Sequence, residues 1–379
     1  MKLVIIGGGA SGLMLSSILK KNNTSLEIVI LEKLEHVGKK ILATGNGKCN
    51  LSNINILPSC YNNEFGYEIA KSFDAVNYFS SLGLLTYNDE EGRVYPISNT
   101  ANSVLDVLRE SIKGVQIKTS FNVIRIIKDN NIYKIYNDKN EIIEADIVVM
   151  ATGGKTYYKE NNSYLIASML SHRITPIRPT LVSLKVKENL ASIENLRCKV
   201  NAKLYNKDQM VFQDKGEVLF KKDSLSGIVI FQLSSFVAKN PLNKFFIELD
   251  LLPSISLEQL EEHINKYPNM TGMFAKMINQ YIRKIANSND SKVLAYTIKH
   301  LRFEVLPSIE FKNAQVTAGG VDVNELNENL ESKYNKNLYF LGELIDVDGI
   351  CGGYNLHFAF ASANKVALDI LGKEGVNNG

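Results

Sequence analysis

The sequence contains no apolar run approaching the roughly 18 residues that a membrane span needs, so no transmembrane segment and no membrane partner are expected. Cysteine is scarce: Cys49, Cys60, Cys198 and Cys351 lie far apart and form no C-x-x-C pair. That spacing argues against a zinc site and a dithiol redox centre, and no metal is expected. Charge is nearly balanced at a net +3, so there is no global field to attract a polyanion. Internal repeats are absent, and so is any low-complexity tract beyond Asn-rich loops. Strand-like residues begin at Leu3, leaving no room for a signal peptide, and a reduced cytoplasmic protein is the expectation. At 45% hydrophobic and 22% charged, the 379 residues read as globular and as too long for one ordinary domain.

The chain opens with a βαβ pattern. Lys2–Ile6 reads as a buried strand, Gly7 to Gly12 as a tight turn, Leu13–Lys20 as a helix, and Glu27–Leu31 as a second strand followed by Glu32. Gly38–Asn55 reads as a long polar loop, and Ser72–Leu82 and Ala101–Lys113 as helices. Gln116–Lys128, Ile132–Asn137 and Glu141–Glu144 read as antiparallel strands, and Asp146–Met150 as another buried strand. Character changes after Pro176 and Pro179: from Ser183 to Leu249 alternation predicts a β-rich stretch. Leu257–Ile264, Gly272–Ala286 and Ser291–Lys299 then predict three helices. Over residues 183–306 there are 18 Lys and Arg against 13 Asp and Glu, while the remainder is slightly acidic. Gly-rich motifs return with Val316, and a helix from Asn355 to Leu371 closes the chain.

Gly7-x-Gly9-x-x-Gly12 follows a strand, opens a helix, and precedes an acid at the end of the next strand, 25 positions after Gly7. Each part has a physical task in binding a dinucleotide. Gly7 permits the turn, Gly9 lets backbone N–H groups approach a pyrophosphate, and Gly12 lets the helix pack close to the sheet. Glu32 is placed to accept hydrogen bonds from a ribose diol, and an acid there disfavours a 2′-phosphate, leaving FAD or NAD. The rest of the chain favours FAD. Ala151-Thr152-Gly153-Gly154 after a buried strand, and Leu338 through Asp346 near the C-terminus, look like the later motifs of the two-dinucleotide FAD enzymes. In such proteins the late acid, here Asp346, sits near ribityl and pyrophosphate. The next helix start, here Tyr354-Asn355-Leu356, faces the flavin pyrimidine ring, where its dipole stabilises negative charge. There is no second G-x-G-x-x-G, so any NADH or NADPH is expected only as a transient electron donor.

The stretch Gly38-Lys39-Lys40-Ile41-Leu42-Ala43-Thr44-Gly45-Asn46-Gly47-Lys48-Cys49-Asn50-Leu51-Ser52-Asn53 closely resembles a signature of the HI0933-like (YhiN/BaiN-like) flavoproteins, also labelled aminoacetone oxidase family FAD-binding enzymes. Gly92-Arg93-Val94-Tyr95-Pro96, Gly216 to Phe220, Thr317 to Val321 and Gly342 to Asn355 match the same family pattern. The resemblance covers nearly the whole chain. It implies an α/β fold: a two-dinucleotide-type, Rossmann-like FAD domain interrupted by a β-barrel-like plus helical insert. The expected boundaries are 1–182 with 307–379 for the FAD domain, 183–256 for the β-rich insert and 257–306 for the helical insert. It also implies non-covalent FAD held by Gly7, Gly9, Ala10, Ser11, Gly12, Glu32, Lys33, Lys40, Thr44, Gly45, Asn46, Gly47, Cys49, Asn50, Val123, Ala151, Thr152, Gly153, Gly342, Glu343, Asp346, Gly353, Tyr354, Asn355 and Leu356. Two stretches depart from the pattern. Lys155 to Ser163 lacks the family's proline and glycines, and Ser224-Leu225-Ser226-Gly227-Ile228 lacks a proline.

No catalytic residue stands out. Tyr354, His357 and Cys49 are candidates by position, each weighed against an ordinary packing role. Lys39, Lys40 and Lys48 are candidates to neutralise phosphate or polarise a carbonyl, against a solvated loop. The expected protein is an FAD-dependent oxidoreductase acting on a small organic substrate by hydride transfer at flavin N5, in a cleft between the FAD domain and the insert. The resemblance points to reduction of a conjugated enone C=C or oxidation of a small amine. A flavin-dependent RNA-modifying enzyme and a non-catalytic flavin-binding redox protein are the alternatives, although the dispersed lysines do not predict a nucleic-acid partner.

Overall fold

The computed structural model describes residues 1–156, 162–270, 272–307 and 310–375. The chain divides into two compact units, Met1–Ile177 with Val316–Gly379, and Arg178–Gln315.

The first unit is built on a five-stranded parallel sheet. Its strands are β1 (Lys2–Ile6), β2 (Glu27–Leu31), β3 (Gln116–Lys118), β4 (Ile147–Met150) and β5 (Leu338–Phe340), arranged in the order β5-β4-β1-β2-β3. β1, β2, β4 and β5 are almost wholly buried and read as unbroken apolar runs, as strands covered on both faces must. The order is that of a dinucleotide fold, and the expected α/β, Rossmann-like architecture is what the chain adopts. Register matters most for function. Ile6 pairs with Leu31 and with Met150, and Met150 pairs with Phe340. The residues that follow these strands (Gly7, Glu32, Ala151 and Leu341) therefore emerge along one edge. Helices α1 (Ala10–Lys21) and α2 (Tyr354–Lys373) pack against each other beside the sheet.

Several local expectations are corrected. Gln116–Lys128 is not one antiparallel strand: Gln116–Lys118 pairs in parallel with β2, and only Val123–Asp129 enters a three-stranded antiparallel ribbon. The polar stretch after Gly38 is structured, with a short helix Lys39–Ala43, a 3-10 turn Thr44–Gly47 and a strand Ser52–Asn53. That strand pairs with Arg93–Pro96, which in turn pairs with Thr86–Asn88.

The second unit contains a six-stranded antiparallel sheet in which Arg197–Asn206 lies between Gln209–Lys221 and Phe245–Asp250. One face of Arg197–Asn206 carries the buried Val200, Ala202 and Leu204, and the other carries polar residues, the pattern of a half-solvated sheet. Ile228–Lys239 is a helix, not part of a continuous β-rich stretch. It and helices Leu257–Lys266, Lys276–Ala286 and Ser291–Lys299 share one apolar core with the sheet. No helix among the described residues is long and apolar enough to cross a membrane.

Candidate functional site

The edge where β1, β2, β4 and β5 end is lined by backbone and glycine. Gly9 begins α1 with φ −87°, and a Cβ placed on it would meet nothing within 4 Å. Gly12 is the opposite case: a Cβ there would lie 2.0 Å from the Gly7 carbonyl oxygen, so only glycine lets α1 pack this close to the turn. Ala10 and Ser11 complete the first turn, which holds no acidic residue and no side-chain cap, leaving its N–H groups for an anion. Glu32, 8% exposed, accepts hydrogen bonds from Gly8 N at 2.8 Å and Leu34 N at 2.9 Å. A carboxylate offers about four acceptor positions, so lone pairs remain for a diol. Lys33 beside it is half-buried; burial lowers its ammonium pKa, and Glu32 opposes that. Phe121 N donates to the Glu32 carbonyl at 2.9 Å, which carries the buried Val123 toward the same corner.

The motif after β4 is locked to the C-terminal motif through Glu343. Its carboxylate accepts from Thr317 N at 2.7 Å and Gly154 N at 3.2 Å, and pairs with Lys40 Nζ at 3.4 Å. Lys40 Nζ also donates to the Gly154 carbonyl at 3.2 Å, close to Gly153. Of the three loop lysines only Lys40 turns inward; Lys39 and Lys48 are exposed. Thr152 is partly exposed, with its Oγ1 buried and without a hydrogen-bond partner among the described residues. Gly342 sits where a Cβ would meet Ser11 Oγ at 3.1 Å, and its N–H donates to Ser362 Oγ, which brings the C-terminal motif to the start of α1. Asp346 is braced by Asn62 and Asn63, a pair that sequence reading passed over and that the N-cap of helix Glu64–Ala70 explains.

α2 also begins without a capping side chain or an acid. Its N-cap is Gly353, at φ +97°, where a Cβ would lie 2.3 Å from the Ser52 carbonyl oxygen and 2.7 Å from Asn50 Oδ1. Asn50 Oδ1 is buried and has no hydrogen-bond partner among the described residues. Asn355 does not face a ligand with its amide; it exchanges two 2.8 Å hydrogen bonds with the Gly349 backbone and closes the preceding loop. Leu356 is only partly buried. Thr44 turns its hydroxyl to the Ile41 carbonyl, and Gly47 ends that 3-10 turn. The exposure of Gly45 and the side chain of Asn46 lie outside what is described, as do Tyr157 to Asn161 of the stretch that departs from the family pattern.

All three catalytic candidates are buried side chains. Cys49 is fully buried and its thiol is pushed up to about 11 by that burial, which disfavours a thiolate. The Tyr354 ring is buried edge-on to Tyr61, 6.1 Å between centroids, and desolvation raises its phenol well above the ordinary range. His357 is 2% exposed, with both ring nitrogens engaged by Ser52 Oγ and the Ala70 carbonyl. Among the described residues there is no cluster able to hold a metal ion.

Comparison with known proteins agrees with this geometry. The chain is 33% identical to the 3-dehydro-bile acid delta(4,6)-reductase of Clostridium scindens, covering 95% of this chain and 97% of that one. It is 27% identical to the ribosomal RNA dihydrouridine synthase of Escherichia coli, covering 97% of each. Among solved structures, a 3-ketosteroid-delta4-(5alpha)-dehydrogenase from Rhodococcus jostii shares the fold at 12% identity, with a TM-score of 0.50 over 97% of this chain and 95% of that one. Residues 1–369 match the HI0933-like protein Rossmann domain, and the chain belongs to that family.

Proposed function

We propose that this protein is an FAD-dependent oxidoreductase that reduces a carbon–carbon double bond conjugated to a carbonyl in a small organic substrate. NADH or NADPH is the transient donor. The observation that carries the FAD reading is the shared edge: two helices with unfilled N-termini, a glycine cradle and a buried acid at the ends of adjacent parallel strands. The residues present fit the group. Gly9 leaves open space at the cradle, Glu32 keeps spare acceptor capacity, and the buried Thr152 Oγ1 and Asn50 Oδ1 await partners.

In this reading, Gly7, Gly9, Ala10, Ser11 and Gly12 bind the pyrophosphate through backbone N–H groups, while Glu32 and the corner at Val123 bind the adenosine end. Gly342, Glu343 and Asp346, with Lys40, Ala151, Thr152 and Gly153, line the middle, and Asn50 and residues 353–356 hold the pyrimidine end. FAD bound there would supply two-electron hydride chemistry. The chain's own part is to orient and shield that exchange. Enone reduction unites the relatives' names, since a delta(4,6)-reductase of a 3-dehydro steroid and a dihydrouridine synthase both saturate a double bond conjugated to a carbonyl.

The ribosomal RNA synthases among the relatives favour a second reading, reduction of uracil within RNA. Against it, many basic side chains of the second unit are matched by acids: Lys187 with Glu304, Arg197 with Glu217, Arg302 and Lys203 with Glu248, and Lys299 with Asp250. Each of these charges is offset by its acid, which supports the small substrate. The test is to heat-release the chromophore and identify it by chromatography. The holoprotein is then titrated anaerobically with NADH and NADPH and assayed on a steroid enone and on uridine-containing RNA. FAD and turnover of the steroid enone are expected; FMN or no nucleotide would overturn the cofactor, and turnover of RNA alone would overturn the substrate.

A further inference from the structure

His357 lies one turn into α2, and its surroundings give it a task other than chemistry. We infer that His357 is a positioning residue that holds the signature strand against the start of α2 and thereby sets the affinity and potential of the flavin; this rests on the FAD reading above. The Ala70 carbonyl, 2.9 Å from Nε2, can only accept, so Nε2 carries the proton. Nδ1 is then an acceptor, and Ser52 Oγ, 2.8 Å away, donates to it. Both bonds are buried, and Ser52 and His357 are each 2% exposed.

One imidazole thus ties together three segments far apart in the chain: the end of helix Glu64–Ala70, the strand Ser52–Asn53 and α2. The strand is the neighbour that matters. The Ser52 carbonyl and Asn50 Oδ1 both press on Gly353, so closely that no side chain fits there. Asn53 Nδ2 adds a 3.1 Å bond to the Gly352 carbonyl just before it. A shift of the strand would move Asn50 and the first N–H groups of α2 relative to each other, and these are the groups proposed to meet the pyrimidine ring. The imidazole is buried with both nitrogens engaged, so its route to the site is through Ser52 and not by proton transfer.

Two conservative substitutions separate the two hydrogen bonds. Asn at 357 places its carboxamide near the position of Nδ1 and keeps the bond to Ser52; Gln reaches the position of Nε2 and loses it. In His357→Gln and Ser52→Ala, the FAD dissociation constant is expected to rise about tenfold. The midpoint potential of bound flavin should move by about 30 mV, a tenfold change in the relative affinity for oxidised and reduced cofactor. His357→Asn should stay near wild type in both, and the double variant His357→Gln with Ser52→Ala should be no worse than either single one. A fall in melting temperature alone, with dissociation constant and potential unmoved in Ser52→Ala and His357→Gln, would overturn the inference. A wild-type protein that binds no FAD would instead overturn the cofactor reading itself.

Discussion

The open space at Gly9 allows the fold and the ligand to be perturbed separately. Gly9 has φ −87° and ψ −164°, which alanine adopts freely, and its Cβ would touch nothing within 4 Å. For the fold, two small effects oppose each other. Alanine restricts the unfolded chain, worth about 0.4–1 kcal/mol in its favour, and it is a poorer N-cap than glycine by a similar amount. Apo-protein stability should therefore stay within about 1 kcal/mol of wild type. For the ligand the same methyl group occupies the space that a pyrophosphate needs, and overpacking a well-fitted contact costs about 1–3 kcal/mol. Gly9→Ala should then weaken FAD about 5- to 150-fold, since each 1.4 kcal/mol is tenfold. Titrating apo-protein with FAD by flavin fluorescence, beside a thermal melt without FAD, measures both halves. Gly12→Ala is the control: its Cβ would sit 2.0 Å from the Gly7 carbonyl oxygen, so it should damage the apo fold as well. An unchanged FAD dissociation constant in Gly9→Ala would refute the placement of the pyrophosphate. A collapsed apo-protein would refute the steric reasoning.

Glu32→Gln should weaken FAD by about 1.5–3 kcal/mol by removing the charge proposed to face the ribose. It should also lower apo stability, because either Gly8 N or Leu34 N loses its acceptor; an unaltered FAD affinity would mean that Glu32 serves the turn alone. Limited proteolysis should cut near residues 177 and 315, where the two units meet along the chain, with N- and C-terminal fragments remaining together through the pairing of β4 with β5 and the packing of α1 on α2. Fragments that part without denaturant would contradict this. Glu248 is 5% exposed; burial alone would raise its pKa, but hydrogen bonds from Arg302 and His300 hold it below the ordinary 4.5. Its contribution to stability is therefore present above pH 4.5 and lost as pH falls below that value, and Glu248→Gln should flatten the acid limb of the unfolding profile.

The parts of the site that sequence reveals are those in which the residue type is dictated by local geometry. A glycine at a fixed offset from a strand, an acid ending the next strand and apolar runs of five residues are each readable without knowing a neighbour. Gln116–Lys118 is different: all three residues are exposed, so no apolar pattern marks them, and only the partner strand β2 makes them parallel sheet. Ile228–Lys239 opens with Ile-Val-Ile-Phe, a strand-like run, yet its buried residues Val229, Ile230, Leu233, Ser234 and Val237 fall at helical spacing. That signal lies inside the longer stretch whose alternation predicts β structure. The holding role of His357 could not be read, since its two partners come from residues 52 and 70 and nothing on α2 announces them. Lys40 and Glu343, 303 positions apart, were each placed at the site by motif, but their pairing and the role of Thr317 between them belong to tertiary structure.

The same contrast explains why the motifs are short and scattered while the site is one object. At Gly342 the C-terminal motif passes Ser11 at the start of α1; at Gly353 it passes Ser52 and Asn50 of the signature stretch. At Gly353 the two segments cross too closely for any side chain, and at Gly342 a Cβ at 3.1 Å from Ser11 Oγ would force that side chain to give, so the cradle is made of backbone and of excluded volume. Recognition by backbone N–H groups depends on strand register and helix position, which the sheet core fixes, and hardly at all on the surface residues that would meet a substrate. A frame of this kind tolerates wide change elsewhere in the chain. The chain is 33% and 27% identical to relatives named for a bile acid and for ribosomal RNA, and the double-bond chemistry proposed here would require of such a frame only that it hold one cofactor in one place.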